Sequence, residues 1–259
     1  TAALDEMAKL PALDQKVETW EERWRQLYAE IRSNGVTMEK LQPKYFGGKI
    51  MRLDGRFINV FDQTFEFKLH LATLRALFQK YLSTVDQVVD LGCGSGTSLY
   101  LLSQMFPQLT LCGADWSPVS QKILKEITHQ TGANIRGFPI NLRKYLNEKT
   151  IPIDFNTAII SVHAFEQLGE KYGFALDFLL DRRPKLILQI EPIYELYDQQ
   201  SRMDQLAIRH HDKEQYLKGY FLKLQELAAD GKIEIKDQRR LFFGGAWHEA
   251  YSLIVWRPI

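Results

Sequence analysis

Asp90, Gly92, Gly94 and Gly96 are the densest run of chemistry-bearing residues in the chain, in the order Asp-x-Gly-x-Gly-x-Gly. Glycine lacks a Cβ, so a turn carrying it at alternate positions lets backbone approach a ligand that a side chain would strike. Asp115 lies nineteen residues beyond Gly96 and is followed by Trp116. A carboxylate at that distance, at the tip of a second strand, accepts hydrogen bonds from both hydroxyls of a ribose. The chemistry is nucleotide binding, with backbone close to the ligand and acid on the sugar. A dinucleotide fingerprint requires G-x-G-x-x-G, whereas the spacing here is G-x-G-x-G, with Ser98 two residues beyond Gly96.

The elements that must hold these residues follow from the hydrophobic pattern. Val88–Leu91 is an apolar run suited to a buried parallel strand, and Thr97–Met105 is helix-forming. Leu109–Ala114 is the next strand and ends at Asp115. Ser117 is an N-cap with Pro118 at the first helical position, and that helix runs to about Thr131, before Gly132. Further strands are expected at Asn134–Ile140, Phe155–Val162 and Lys185–Ile190, with a helix over Gly169–Leu180. Such alternation forces right-handed crossovers, so the fold class is α/β with a doubly wound, mostly parallel sheet.

On either side the rhythm changes. Residues 1–34 read as helical, with Val17, Trp20, Trp24, Leu27, Tyr28 and Ile31 on one face and Gly35 as the stop. This stripe packs on the core, or serves as a lid or a homodimer face. Leu41–Gly48 reads as a loop, Ile50–Val60 as a hairpin around Asp54-Gly55, and Gln63–Leu82 as a helix. Beyond Pro192, helical stretches at Gln200–Leu206 and Glu214–Ala229 suggest an inserted cap over residues 193–230. Strands Lys232–Phe243 and Glu249–Trp256 close the chain around Gly244-Gly245. The expected division is a helical N-terminal cap or lid, 1–84, and a ligand-binding domain, 85–259, carrying the insertion.

The glycine run opened by Asp90 resembles motif I of the class I S-adenosylmethionine-dependent methyltransferases. Asp115-Trp116-Ser117-Pro118 resembles their acidic second motif. The likeness continues through Ile140-Asn141-Leu142, Ser161-Val162-His163-Ala164-Phe165-Glu166 and Ile190-Glu191-Pro192, covering roughly residues 85–192 plus the final strand pair. It implies a Rossmann-like seven-stranded sheet with an antiparallel last strand, and S-adenosyl-L-methionine as cofactor. By the same resemblance Gly92, Cys93, Gly94 and Gly96 surround the cofactor's amino-acid part and Asp90 orients its ammonium. Asp115 holds the ribose, Trp116 covers the adenine, and Asn141, where many members carry an acid, meets the adenine edge. Leu142 and Ser161 complete the cofactor set.

Ligands of an open parallel sheet bind outside the carboxyl ends of its strands. His163 is the first candidate for a base there, because imidazole titrates near neutrality, and Glu191 is the second. Each has a plainer alternative: a satisfied loop histidine, and a carboxylate bonding nearby backbone. For Asp115 the plainer alternative is a helix-capping carboxylate, and for Trp116 it is ordinary packing. Tyr194, Arg240, Trp247 and His248 are expected to line the substrate. Arg209 and Arg239-Arg240 suit a carboxylate or phosphate on it, or are solvated charges. His163, Glu191, Glu195, His210, His211, His248 and Glu249 invite a divalent ion, but their spacing matches no ligand motif, so no metal is expected.

At 259 residues the chain suits one large domain or a core with an appended cap, and 45% apolar content supports a sizeable core. A net charge of +1 supplies no general attraction to nucleic acid. No apolar run is long enough to span a bilayer. Two lone cysteines, Cys93 and Cys112, point to a reducing, cytoplasmic setting. The expected function is in-line methyl transfer to oxygen or nitrogen of a small molecule. The alternatives are an RNA or protein methyltransferase and a non-catalytic S-adenosylmethionine-binding protein.

Overall fold

The computed structural model describes residues 13–144 and 151–259, with side chains from residue 20 onward. Residues 1–12 of the expected helical segment, and the Val17 side chain, lie outside the described residues. Helix α1 spans Leu13–Asn34 and stops at Gly35, whose φ of 78° turns the chain out of the helix. Strands β1 (Ile50–Leu53) and β2 (Arg56–Asn59) form the hairpin around Asp54-Gly55. Helix α2, Phe65–Tyr81, follows.

The α/β body comes next. Its first half is β3 (Gln87–Leu91), α3 (Thr97–Met105), β4 (Thr110–Asp115), α4 (Pro118–Thr131) and β5 (Ile135–Pro139). Its second half is β6 (Thr157–Val162), a 3-10 turn at Phe165–Leu168, α5 (Gly173–Arg182) and β7 (Leu186–Glu191). The chain closes with α6 (Arg202–Glu214), α7 (Tyr220–Ala229), β8 (Ile233–Arg240), β9 (Phe243–Gly245) and β10 (Ser252–Pro258).

Seven strands form one sheet in the order β5-β4-β3-β6-β7-β10-β8. β3 to β7 run parallel, and β10 lies antiparallel between β7 and β8. Successive residues of a strand face opposite ways, so Val88 and Val89 enter different cores. Val88, Leu99, Leu124, Ile160 and Leu253 fill one face of the sheet. Val89, Ile159, Ile187, Leu224 and Trp256 fill the other. Strand order reverses at β3, with β4 on one side and β6 on the other, so a crevice opens above the carboxyl end of β3. Among the described residues, no helix is long and apolar enough to cross a membrane.

The end of the chain departs from the sequence expectation. β8 stops at Arg240, and Phe243–Gly245 leaves it to pair with β1 in a separate sheet, β2-β1-β9. Arg52 of β1 drives this. Its guanidinium is fully buried and donates to the carbonyls of Ala246, Met203 and Trp247 at 3.0, 2.7 and 2.8 Å. A buried cation requires such partners, and the folded-back turn supplies two of them while Met203 of α6 supplies the third. Within residues 193–230 the two helices also differ. Tyr220, Phe221, Leu224 and Leu227 sink α7 into the core beneath the sheet, whereas α6 buries Asp204, His210, His211 and Glu214. α7 begins at Tyr220 rather than Glu214, after a left-handed Gly219 whose N–H donates to Glu195.

Candidate functional site

The loop after β3 wraps tightly because its glycines have no alternative. Gly92 has φ 81°, and a Cβ there would stand 2.2 Å from the Ala164 Cβ. Gly96 has φ 75°, with Leu124 and Ile127 where a side chain would go, which brings α4 against the loop. Gly94 faces Trp24 of α1, 3.0 Å from the position of an added Cβ. Ser95 and Thr97 donate to the Leu41 carbonyl at 3.0 and 2.7 Å. Both the N-terminal helix and the loop that follows it therefore lie on the glycine turn. Cys93 turns inward, with its sulfur 3.5 Å from the Ser120 hydroxyl.

Asp115 is buried at the tip of β4. One oxygen accepts from the Gly94 N–H and the other from the Ser117 N–H, each at 2.9 Å, leaving each a second lone pair. Burial raises its pKa, against these backbone bonds. Trp116 beside it leaves 43% of its surface exposed, unlike a packing residue. Asn141 is exposed and accepts from the Arg143 N–H, while Leu142 is buried behind it. Glu21 of α1 accepts from the Ser117 hydroxyl, so α1 reaches the rim of the same crevice.

Asp90 is buried beneath the glycine turn, and its pKa is pushed up to about 8, first by burial and then by Asp115 and Glu191. Among the described residues, no lysine or arginine pairs with Asp90, Asp115 or Glu191. A site that gathers carboxyls without a counter-charge fits a ligand bringing positive charge. S-adenosylmethionine, a sulfonium with an ammonium, matches that donor set and the bare turn.

Glu191 is not free to act as a base. Its carboxylate accepts from the N–H groups of Ala164, Phe165 and Glu166 at 3.1 Å each and from the Ser161 hydroxyl. Burial, then Glu166, raises its pKa to about 7. Together these bonds cap the turn after β6 and hold His163 at φ 55°, a left-handed backbone uncommon outside glycine. His163 Nδ1 lies 3.4 Å from Glu166 Oε2, and its side chain is 8% exposed. Its Nε2 is buried with no hydrogen-bond partner. Burial disfavours the charged ring, but Glu166, Glu191 and Glu66 outweigh it, so the His163 pKa is raised.

Rings gather around His163, with Tyr45, His70 and Tyr251 at 6.0, 6.1 and 4.8 Å between centroids. Tyr45 is 47% exposed, with Trp20 of α1 at 6.1 Å. Glu66, His70, Glu166, Tyr45 and Tyr251 were not candidates from the sequence. They come from four separate stretches, and the one local signal was Glu166 three residues after His163 on a turn.

The expected substrate-lining residues divide. His248 and Trp247 meet α6, with His248 Nδ1 3.1 Å from His211 Nε2 and Trp247 stacked on His210 at 6.3 Å. Tyr194 lies under the Lys218 ammonium at 4.2 Å, with His211 6.2 Å away. Arg240 is a correction. It donates to both oxygens of Asp204 and to Glu249 in a largely buried triad, which spends its charge on the protein. Arg209 and Arg239 are exposed, the latter paired with Asp237 at 3.0 Å. Among the described residues, no group of three or more His, Cys, Asp or Glu is arranged to hold a metal ion.

No protein-family model and no curated protein matches the chain. Solved structures do. Geranyl diphosphate C-methyltransferase from Streptomyces coelicolor A3(2), solved with Mg2+, geranyl diphosphate and S-adenosyl-L-homocysteine, matches 74% of this chain and 80% of its own at 14% identity and TM-score 0.50. The pyocyanin biosynthetic protein PhzM matches 74% of this chain and 55% of its own at 14% identity and TM-score 0.53. The cyclase SpnF matches 74% of this chain and 81% of its own at 11% identity and TM-score 0.54. The chain thus has the Rossmann-like fold of the class I S-adenosylmethionine-dependent methyltransferases.

Proposed function

We propose that this protein transfers a methyl group from S-adenosylmethionine to oxygen or nitrogen of a small molecule. The observation that carries it is the crevice at the sheet's switch point, where the glycine turn, bonded to Asp115, packs against Ala164 beside a histidine whose Nε2 has no protein partner. Gly92, Gly94 and Gly96 would hold the amino-acid part of the cofactor, Asp90 its ammonium, Asp115 the ribose and Trp116 the adenine. Cys93, Asn141, Leu142 and Ser161 would complete the wall. The cofactor supplies an electrophilic methyl carbon on a cationic sulfur.

The chain's own residues then position and deprotonate. His163 takes the acceptor's proton at Nε2, while Glu166 at Nδ1 stabilises the imidazolium that forms. Glu191 keeps the turn in register and does not touch the acceptor. α1 and the 35–48 loop cover the cofactor turn, which excludes water.

Calorimetry with S-adenosylmethionine, followed by methyl release on metabolite pools, tests this. Binding with turnover supports it. Binding without turnover on any pool favours use of the cofactor for something other than methyl transfer. The specific observation favouring that second reading is that a protein described as a cyclase shares the fold. Filter binding with a salt titration tests an RNA substrate, since phosphate contacts give a steep loss of affinity with salt.

A further inference from the structure

The cluster of rings around His163 carries more carboxyls than one imidazole can balance. Glu66 of α2 is buried, and its Oε1 takes only a long contact, 3.5 Å, from the Tyr251 hydroxyl. Glu166 has the His163 ring, and Glu191 is spent on backbone N–H groups. Among the described residues, no lysine or arginine forms a salt bridge with Glu66. Burial raises the Glu66 pKa, and His163 and Tyr251 act against that rise. His70, at the same wall, is driven down to about 3 by burial and stays neutral at physiological pH. The rest of the wall is aromatic: Tyr251, Phe46 and the half-exposed Tyr45. A buried carboxylate short of a cation, faced by ring π-clouds and a neutral imidazole, is the surrounding that stabilises an ammonium.

We propose that the acceptor is an amine, bound as its ammonium between Glu66 and the Tyr45–Tyr251 rings and methylated on nitrogen. The proposal rests on the methyl-transfer reading above. The cofactor's own charge does not fill this role, because Asp115 is bonded to the Gly94 N–H of the glycine turn with Asp90 beside it, whereas the groups that meet Glu66 are Tyr251 and His163. The step balances. An ammonium proton passes to His163 Nε2, and the freed nitrogen lone pair forms a bond to the methyl carbon. The carbon–sulfur pair stays on sulfur, leaving a neutral thioether and a methylated ammonium still opposite Glu66. Glu66 therefore sets specificity, and a carboxylate- or phosphate-bearing acceptor is repelled.

The test uses the full chain loaded with S-adenosylhomocysteine, titrated calorimetrically with ethylamine, benzylamine and 2-phenylethylamine and with their size-matched alcohols and carboxylic acids. At least one amine is expected to bind ten-fold or more tighter than its alcohol, with the acid weakest. Glu66→Gln is expected to erase that preference while leaving alcohol binding and S-adenosylhomocysteine affinity within two-fold. An alcohol or acid matching every amine, or no amine binding to the loaded protein, overturns the proposal. If Glu66→Gln does not fold, the wild-type ligand series alone decides. Repeating the titrations without S-adenosylhomocysteine separates the two readings. Amine preference with no S-adenosylhomocysteine binding keeps the cation site and removes methyl transfer. S-adenosylhomocysteine binding with no amine preference removes the cation site alone, and binding of neither removes both.

Discussion

Asp115 and His163 are both buried acid–base groups, yet they are held in opposite ways. Asp115 has its oxygens drawn onto two backbone N–H groups, and a ribose would add donors to the lone pairs that remain. Asp115→Ala is expected to weaken S-adenosylmethionine binding by about 1–3 kcal/mol, the scale for leaving polar partners unpaired. Unchanged calorimetric affinity would separate this carboxylate from the sugar. His163 is held at Nδ1 and bare at Nε2. A base must be deprotonated in the free protein, and its neighbours raise its pKa. kcat/KM is therefore expected to climb with pH through an inflection above about 6.5, the ordinary histidine value. Glu166→Gln should move that inflection downward, and a profile indifferent to the change would remove the pair from the reaction. His163→Ala should cost turnover far more than cofactor affinity.

Among the elements, α1 is the one whose place matters most for the site. Leu27 and Ile31 bury its inner face, Gln130 of α4 donates to the Ile31 carbonyl at 3.0 Å, and Trp24 caps Gly94. Its Trp20 stacks on Trp24 at 5.3 Å, and Trp20 in turn meets the half-exposed Tyr45. If residues 1–84 act as a lid, α1 must part from the glycine turn to admit the cofactor. Hydrogen exchange is expected to be faster over 20–34 than over α3 in the free protein and to slow when S-adenosylhomocysteine is added. Identical protection with and without it would leave α1 as fixed packing.

At the scale of the molecule, five of the six histidines gather in two neighbouring groups, His70 with His163 and His210 with His211 and His248, leaving His129 exposed on α4. Burial drives His211 down to about 3 and His248 well below its usual value. Their neighbours are His210, Tyr194, Tyr197, Tyr216 and Trp247, with Arg52 and Arg240 behind. A histidine whose folded pKa is depressed stabilises the fold above its unfolded pKa, near 6.5, and that contribution is lost as pH falls toward the folded value. Denaturation midpoints are therefore expected to drop between about pH 6.5 and 4, and His211→Phe should flatten the slope. A midpoint that holds constant across this range would mean that the cluster is already charged.

Most of the body was legible from local pattern. Apolar runs such as Val88–Leu91, the alternate glycines and the Ser117-Pro118 cap each specify an element through residues within a few positions, and strand–helix alternation then limits the topology. The residues proposed for the cofactor side stand out in the sequence for the same reason, since turn, acid and indole lie within one strand–helix–strand unit. What tertiary structure alone decided was everything made by distant partners. Arg52 recruits the 243–247 turn from across the chain, Arg240 is claimed by Asp204 and Glu249, and Glu191 is consumed by the turn that positions His163. Glu66, His70 and Tyr251 join that histidine only because α2 and β10 pack beside it. A buried charge takes whichever partner the fold brings within reach, and sequence spacing carries no record of that choice.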